Sequence, residues 1–334
     1  MDELDVIAEL QRQFEYVIGD WAAESADTKR GRGDHDHHWS ARSDGIRDCD
    51  VIGGYVGCEF AQMFRRFGAD VTVIQHGDGL LAAEDPDTSE VVQTAFESEG
   101  IDVRTGVEVN GIHRMSDGWF EVYVGDKRIK GSAVLIAVGR TPNTDQLGLE
   151  TVGVETDMRG FVTVDDGYQT SVSGVYAIGD VIGLPMFTHS ARDDVALLYR
   201  RVFKGADKTS ADRLIPHAVF TDPEVASFGL SEDVARAKFV VGVSVGVAKF
   251  RGVAKAKAIG ETAGFVKIIA DPDRKIIGAT IVGPDAGNLI HELVVAAIAG
   301  LSVEELGRII QIHPTLAEAV SAAAGGVHKP TVAD

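Results

Sequence analysis

The apolar positions of the chain change rhythm at residue 50. From there "VIGGYVGCEFAQMFRRFGADVTVIQ" reads as a strand, a glycine turn, a helix ended by Gly68, and a second strand. A second helix, "TSEVVQTAFESEG" from Thr88, stops at Gly100 and leads into the strand "IDVRTGVEV". A hairpin, "GWFEVYVGDKRIKG", then precedes the apolar strand "AVLIAVG". Helices alternating with strands predict a doubly wound parallel sheet of the α/β class, carrying a β excursion.

Either side of this region the pattern differs. Residues 1–22 predict an amphipathic helix, with Leu4, Ile7, Leu10 and Phe14 at helical spacing. Residues 23–49 have almost no apolar periodicity and read as loop or disorder. Beyond residue 141, "GVYAIGD" (Gly174–Asp180) predicts a strand and Ser190–Phe203 a helix. After about residue 215 come the strands "GVSVGVAKF", "GFVKIIAD" and "KIIGATIVG", then the helices "AGNLIHELVVAAIAG" and "SVEELGRIIQ". Strands followed by helices predict a separate α+β domain.

At 334 residues the chain has room for two or three domains. A net charge of −19 argues against a nucleic-acid partner, because counterion release needs clustered Lys and Arg. The charge suits either a high-salt cytoplasm or an ordinary acidic soluble protein. No apolar run reaches the ~20 residues of a membrane span, and the acidic start "MDELDVIAEL" is not a signal peptide. Two cysteines, Cys49 and Cys58, exclude a disulfide framework and suggest a reducing, cytoplasmic location. His35, His37 and His38 in "DHDHH" could ligate a metal, but nothing nearby orders them and a solvated polar tract is the preferred reading, with no metal expected.

Three stretches carry candidate chemistry. In the glycine turn, Gly54 would let the backbone approach a pyrophosphate and Gly57 would let the helix pack closely on the strand. The full G-x-G-x-x-G pattern puts Ile52 where the first glycine belongs, so a purely structural turn is the alternative. At the end of the next strand Gln75 replaces the acidic residue that would favour NAD, and His76 is not the arginine that would favour NADP. In "HPTLAE", His313 and Glu318 could form a general acid–base pair, or Thr315 could simply cap a helix starting at Leu316. "GVYAIGD" could set Asp180 on a ribityl or ribose hydroxyl, or end in an ordinary Gly-Asp turn, and "AVLIAVGRTPNT" (Ala133–Thr144) is equally ambiguous.

Taken in order, "GGYVGCEFAQMFRRFG", "AVGRTPNT", "GVYAIGDV" followed by "FTH", "FTDPEVASFGLSE" and "HPTLAEAV" resemble the flavin-dependent pyridine nucleotide–disulfide oxidoreductases. That family includes dihydrolipoamide dehydrogenase, glutathione reductase and mercuric reductase. The resemblance implies an NAD(P)-binding domain over residues 50–140, an FAD-domain segment over 141–211 and a dimerisation domain over 212–334. It implies that Gly53, Gly54 and Gly57 touch NAD or NADP, that Gly139 closes the same site, and that Gln75 lies beside it. By the same resemblance Gly179 and Asp180 would hold the ribityl chain of FAD. His313 and Glu318 would be the acid–base pair, delivered across a homodimer interface. Hydride would pass between NAD(P)H, flavin and a cysteine pair, with a small-molecule disulfide or a metal ion as substrate, and no nucleic-acid or membrane partner. Within the family the chain is most similar to dihydrolipoamide dehydrogenase and mercuric-reductase-like enzymes.

The departures from the family are as specific as the match. No G-x-G-x-x-G precedes residue 52, no C-x-x-x-x-C pair is present, and Cys49 and Cys58 flank the glycine turn nine residues apart. Cys58 takes a usually apolar position and reads as helix packing. The family lysine that pairs with the Glu59 position is missing, which leaves Glu59 expected to be unpaired. Residues 1–49 are then expected to be the remnant of a lost FAD-binding half. Two functions compete: an FAD- and NAD(P)-dependent oxidoreductase, and an impaired nicotinamide-nucleotide-binding and dimerisation module.

Overall fold

Val51 and Ile52 are fully or nearly fully buried on the strand that organises the first half of the molecule. In the computed structural model, which describes residues 48–327, this strand is β1 (Asp48–Gly53), followed by α1 (Tyr55–Arg66) and β2 (Asp70–Ile74). The predicted N-terminal helix, the "DHDHH" tract and residues 23–47 lie outside the described residues. The described residues form two compact units, one running up to Leu80 and including Phe96–Val138, the other made of Leu81–Ala95 and the residues from Gly139 onward.

In the first unit β1 is a central strand. It pairs in parallel with β2 on one side, Ile52 opposite Ile74, and with β7 (Ala133–Ala137) on the other, Ile52 opposite Ile136. β3 (Asp102–Arg104) completes a four-stranded parallel sheet in the order β3-β2-β1-β7. Parallel strands need a crossover between them, and α1 supplies the one from β1 to β2. Its basic last turn, Arg65 and Arg66, suits the negative end of the helix dipole, and both side chains reach Glu99. The β excursion is a three-stranded antiparallel sheet of β4 (Val109–Arg114), β5 (Phe120–Val124) and β6 (Lys127–Gly131). Phe120, Val122 and Val124 alternate inward from β5 and share an apolar cluster with Ile52 and Ile74.

The second unit is built on a five-stranded antiparallel sheet in the order β10-β11-β12-β9-β8. Its strands are β8 (His217–Val219), β9 (Val225–Gly229), β10 (Ser244–Lys249), β11 (Phe265–Ala270) and β12 (Ile276–Val282). Every residue of β11 is buried, including Lys267. Its ammonium lies 2.8 Å from Asp85 and 2.7 Å from Asp87, at the start of α2 (Pro86–Ser98). Burial pushes the ammonium's pKa down, and the two carboxylates more than offset it, so the net direction is up. The sequence places helices α3 (Leu149–Val152), α4 (Thr188–Lys204), α5 (Glu232–Lys238) and α6 (Ala254–Ile259) before three more at the end of the chain. Those are α7 (Ala286–Ile298), α8 (Val303–Gly307) and α9 (Glu318–Gly325), whose buried faces join the sheet in one large core.

Several predicted elements differ in the structure. "GVYAIGD" forms no continuous strand: Gly174 and Gly179 take positive φ values, which interrupt extended backbone. Tyr176 makes an isolated bridge to Gln169, and Gly179–Ile182 is a short 3-10 turn. "IDVRTGVEV" splits into β3 and β4 around Gly106, at φ 64°. The helix expected from Thr88 begins at Pro86, whose fixed φ and missing N–H suit a first helical position. The helix expected through Gln311 stops at Gly307. Among the described residues no helix is long and apolar enough to cross a membrane.

Candidate functional site

The glycine turn is fixed by the strand on its far side. Gly53 sits at φ 138° opposite Ala137 of β7, and a Cβ there would overlap the Ala137 carbonyl. Gly57 is buried in α1, where an added Cβ would stand 3.3 Å from Val51 Cγ1, so helix and strand approach closely. Gly54 is different: it precedes the first residue of α1 and has nothing within 4 Å of where a Cβ would be. Two glycines are therefore demanded by packing, and the third leaves open space at the helix amino end, where N–H groups and the helix dipole favour phosphate. These residues fit a dinucleotide pyrophosphate. Gln75 follows β2 directly and is half-buried. Gly139, at φ 145° with open space around it, begins the second stretch of the second unit.

Cys58 is fully buried on α1, and burial, with a smaller contribution from Glu59, pushes its thiol up to about 12. Cys49 is buried as well, and neither cysteine is in a disulfide. Glu59 is not without a partner, which corrects the expectation for it: it is half-buried and engaged.

Asp180 lies in the 3-10 turn with its carboxylate 3.1 Å from Arg140 Nη1, and the same nitrogen donates to the Met186 carbonyl at 3.1 Å. The turn is held from behind. The Gly179 N–H donates to Asp194 Oδ2 at 2.9 Å, and Asp194 Oδ1 also accepts from the Tyr168 hydroxyl at 2.8 Å and from Arg213 at 2.6 Å. Burial, then the bond to Asp194, holds the Tyr168 hydroxyl well above the usual phenol range. Among the described residues Asp180 is the one predicted FAD ligand that presents a side chain. A Gly-Asp turn by itself supplies only part of an FAD site.

The His313–Glu318 pair is formed. His313 Nδ1 lies 2.9 Å from Glu318 Oε1, and Glu318 Oε2 accepts the Thr315 N–H at 3.0 Å. The bond to His313 and then the Thr315 N–H hold the carboxyl below the usual carboxylate range. Thr315 does not cap the following helix: its hydroxyl donates to the Ile312 carbonyl, and α9 starts only at Glu318. A histidine held at Nδ1 by a carboxylate presents Nε2 for proton transfer, and its side chain is 69% exposed.

A second polar cluster has less scope. His217 Nε2 lies 2.6 Å from Glu84 Oε1, and the Ser227 hydroxyl donates to Glu84 Oε2 at 2.8 Å. The carboxylate and the serine converge on one ring nitrogen, and the hydroxyl proton is committed to Glu84. A nucleophile–base–orienter relay needs two ring nitrogens instead.

Sequence reasoning located Asp180, His313 and Glu318 but missed Arg140 and Asp194. Arg140 stood within the "GRTPN" stretch already singled out, whereas nothing local distinguishes Asp194 from its neighbour Asp193.

Residues 24–194 match the model of the pyridine nucleotide-disulphide oxidoreductases, and residues 215–324 match that family's dimerisation domain. The chain is 38% identical over 289 residues to a dihydrolipoyl dehydrogenase of Thermus scotoductus, covering 84% of this chain and 62% of that protein. It is 38% identical over 299 residues to one of Haloferax volcanii, covering 86% and 62%. Among solved structures it resembles a HOCl-induced flavoprotein disulfide reductase of Escherichia coli, with TM-score 0.78 and 27% identity over 84% of this chain and 65% of that one. LpdA of Mycobacterium tuberculosis gives TM-score 0.77 and 29% identity, over 84% and 61%. The chain thus spans about three fifths of the length of the relatives it matches. With both regions matched and 38% identity to a relative over 84% of its length, the chain belongs to the pyridine nucleotide-disulphide oxidoreductase family.

Proposed function

We propose that the chain supplies the nicotinamide-nucleotide site and the acid–base pair of a dihydrolipoyl dehydrogenase-like oxidoreductase. The hydrogen bond between His313 and Glu318 carries this reading, because a carboxylate on Nδ1 orients the exposed imidazole and presents its Nε2 for proton exchange. Gly53, Gly54 and Gly57 would hold the pyrophosphate, with Gly139 and Gln75 beside it. Gly179 and Asp180 would meet the ribityl chain of FAD. The nicotinamide supplies or accepts a hydride; the chain's own part is to hold the phosphates at the α1 amino end and to move a proton at His313 Nε2.

The pair faces outward among apolar neighbours: Ile310 and Ile312 are 94% and 77% exposed. An exposed imidazole flanked by exposed isoleucines fits a homodimer in which a second copy covers this face and receives His313. A disulfide or a metal ion is the expected substrate class, and the cytoplasm the expected location.

The cysteines favour a second reading. Both described cysteines are buried, and burial holds the Cys58 thiol up, so thiol–disulfide exchange has no accessible nucleophile among the described residues. On that reading the chain is a nicotinamide-binding dimerisation module. The visible absorption spectrum of the purified protein separates the two. A flavin spectrum bleached by NADH or NADPH supports the oxidoreductase; a colourless protein that takes up no added FAD supports the module.

A further inference from the structure

We infer that the extended segment Val175–Ile178 is an open strand edge that pairs antiparallel with the same segment of a second copy of this chain, the apolar face of α4 packing beside it. The Thr170 N–H donates to the Val175 carbonyl at 2.9 Å, and the Ala177 N–H donates to the Tyr168 carbonyl at 3.1 Å. These two bonds bracket the antiparallel bridge between Gln169 and Tyr176, which is therefore a non-hydrogen-bonded pair. In such a pair the N–H and C=O of Tyr176 point away from Gln169, toward the opposite edge. They have no hydrogen-bond partner among the described residues. Nor does the N–H of Ile178, which continues the extended backbone at φ −143° and ψ 161°.

Strand edges left in water are normally blunted by lysine, proline or a bulge. The run "VYAI" carries neither charge nor proline, and Val175 and Tyr176 are both exposed. The neighbouring helix has an apolar face to match. α4 buries Ser190, Asp194 and Leu197, while Val195, Tyr199, Val202 and Phe203 lie on the other side, between 43% and 70% exposed. Their spacing puts them in one stripe, and the Tyr199 and Phe203 rings are 5.4 Å apart. Tyr176 and Val202 line a single groove of about 400 Å³ with Gln169 and Arg201, so the edge and the helix stripe belong to one surface.

The occupant is a second copy because the edge is complementary to itself. Residues in a hydrogen-bonded antiparallel pair exchange both of their backbone bonds. Tyr176 offers one donor and one acceptor to the edge, so it can face its own counterpart across a two-fold axis and satisfy both groups at once. The same axis repeats the α4 stripe, which gives the isologous contact of a two-fold interface. Gly174, at φ 81°, leaves the extended region, so the ladder is short and the α4 stripe supplies the apolar area. A net charge of −19 on each copy opposes the contact, so salt should strengthen it. None of these residues belongs to the His313 face, and the two associations are independent.

Sedimentation velocity of the purified full chain, in about 0.1 M and about 1 M salt, tests this beside Tyr176→Pro and Phe203→Glu. The first variant removes the edge donor and breaks no bond within the described residues. The second puts a charge in the α4 stripe. At high salt the unaltered chain should reach about twice the mass of either variant, with a dissociation constant at least about tenfold lower. Equal masses for all three overturn the inference. Circular dichroism shows whether each variant is folded, and where one is not the other decides. Amide exchange on the unaltered chain needs no variant. The Tyr176 N–H should exchange at least about tenfold more slowly in concentrated than in dilute solution. Fast exchange at every concentration overturns the inference, because the edge is then never covered. Slow exchange at every dilution overturns it too, because another part of the same chain then covers the edge.

Discussion

Glu318 holds His313 Nδ1 at 2.9 Å with one carboxylate oxygen and the Thr315 N–H at 3.0 Å with the other. The imidazole is therefore fixed by a carboxylate that is itself fixed by the backbone. In the active holoenzyme His313→Ala is expected to lower kcat by about 10²–10⁴-fold, the usual contribution of a positioned acid–base group. Glu318→Gln should cost less, since an amide can still bond the ring. Steady-state turnover with KM measured in parallel checks both.

The same pair predicts a pH limit. The Glu318 carboxyl is held below its usual value, so its stabilising bonds are present above the ordinary carboxylate range and are lost as pH falls through the lowered folded value. The Glu318 side-chain carboxyl carbon should therefore titrate below the ordinary carboxylate range. A two-dimensional NMR titration of the glutamate carboxyl carbons follows this directly. A Glu318 midpoint at or above the ordinary carboxylate value would contradict the geometry.

Gly53 and Gly54 are adjacent, and their alanine variants should fail in different ways. Gly53→Ala places a Cβ on the Ala137 carbonyl at φ 138°, so it should unfold the parallel sheet or lower its stability by at least about 1–3 kcal/mol. Gly54→Ala meets no neighbour, so the thermal midpoint should hold while nucleotide binding weakens roughly tenfold or more. Calorimetry and a binding titration on the two variants separate packing from ligand contact.

Lys267 is 3% exposed, as is Asp85 beside it. Lys267→Ala leaves that carboxylate buried without its cation and should destabilise the second unit by about 3–5 kcal/mol, read from urea unfolding. Asp85 keeps the Glu232 N–H at 3.0 Å, which limits the damage.

Cys58 is expected to resist alkylation in the native protein at pH 8, because its thiol is fully buried and pushed up to about 12. It should react at the normal rate once the chain is unfolded. Labelling with iodoacetamide before and after denaturation, read by mass spectrometry, distinguishes the two states. Rapid native labelling would show that α1 opens.

The sequence by itself determined the parts whose physics is local. Alternating and helical apolar spacing announced β1, α1, β2 and the strands β10 to β12, because burial on one face imposes a period. The order of short motifs along the chain also resembles the family's. Spacing offered His313 with Glu318 only beside a helix start capped by Thr315, and the hydrogen bond between the two side chains is a finding of the structure.

Tertiary structure decided what depends on partners distant in the chain. Asp193 and Asp194 look alike in sequence, yet the side chain of one is 53% exposed and that of the other 4%. Only the packing of α4, which buries Ser190, Asp194 and Leu197 together, turns Asp194 inward to meet Gly179, Tyr168 and Arg213. Lys267 likewise sits in a wholly buried strand that hydropathy would call apolar, held there by carboxylates about 180 residues away in the chain. The packing role of Gly53 is invisible until β7 closes against it. Local periodicity tells which face of an element is buried; which distant charge or carbonyl waits on that face is set only when the sheet is assembled.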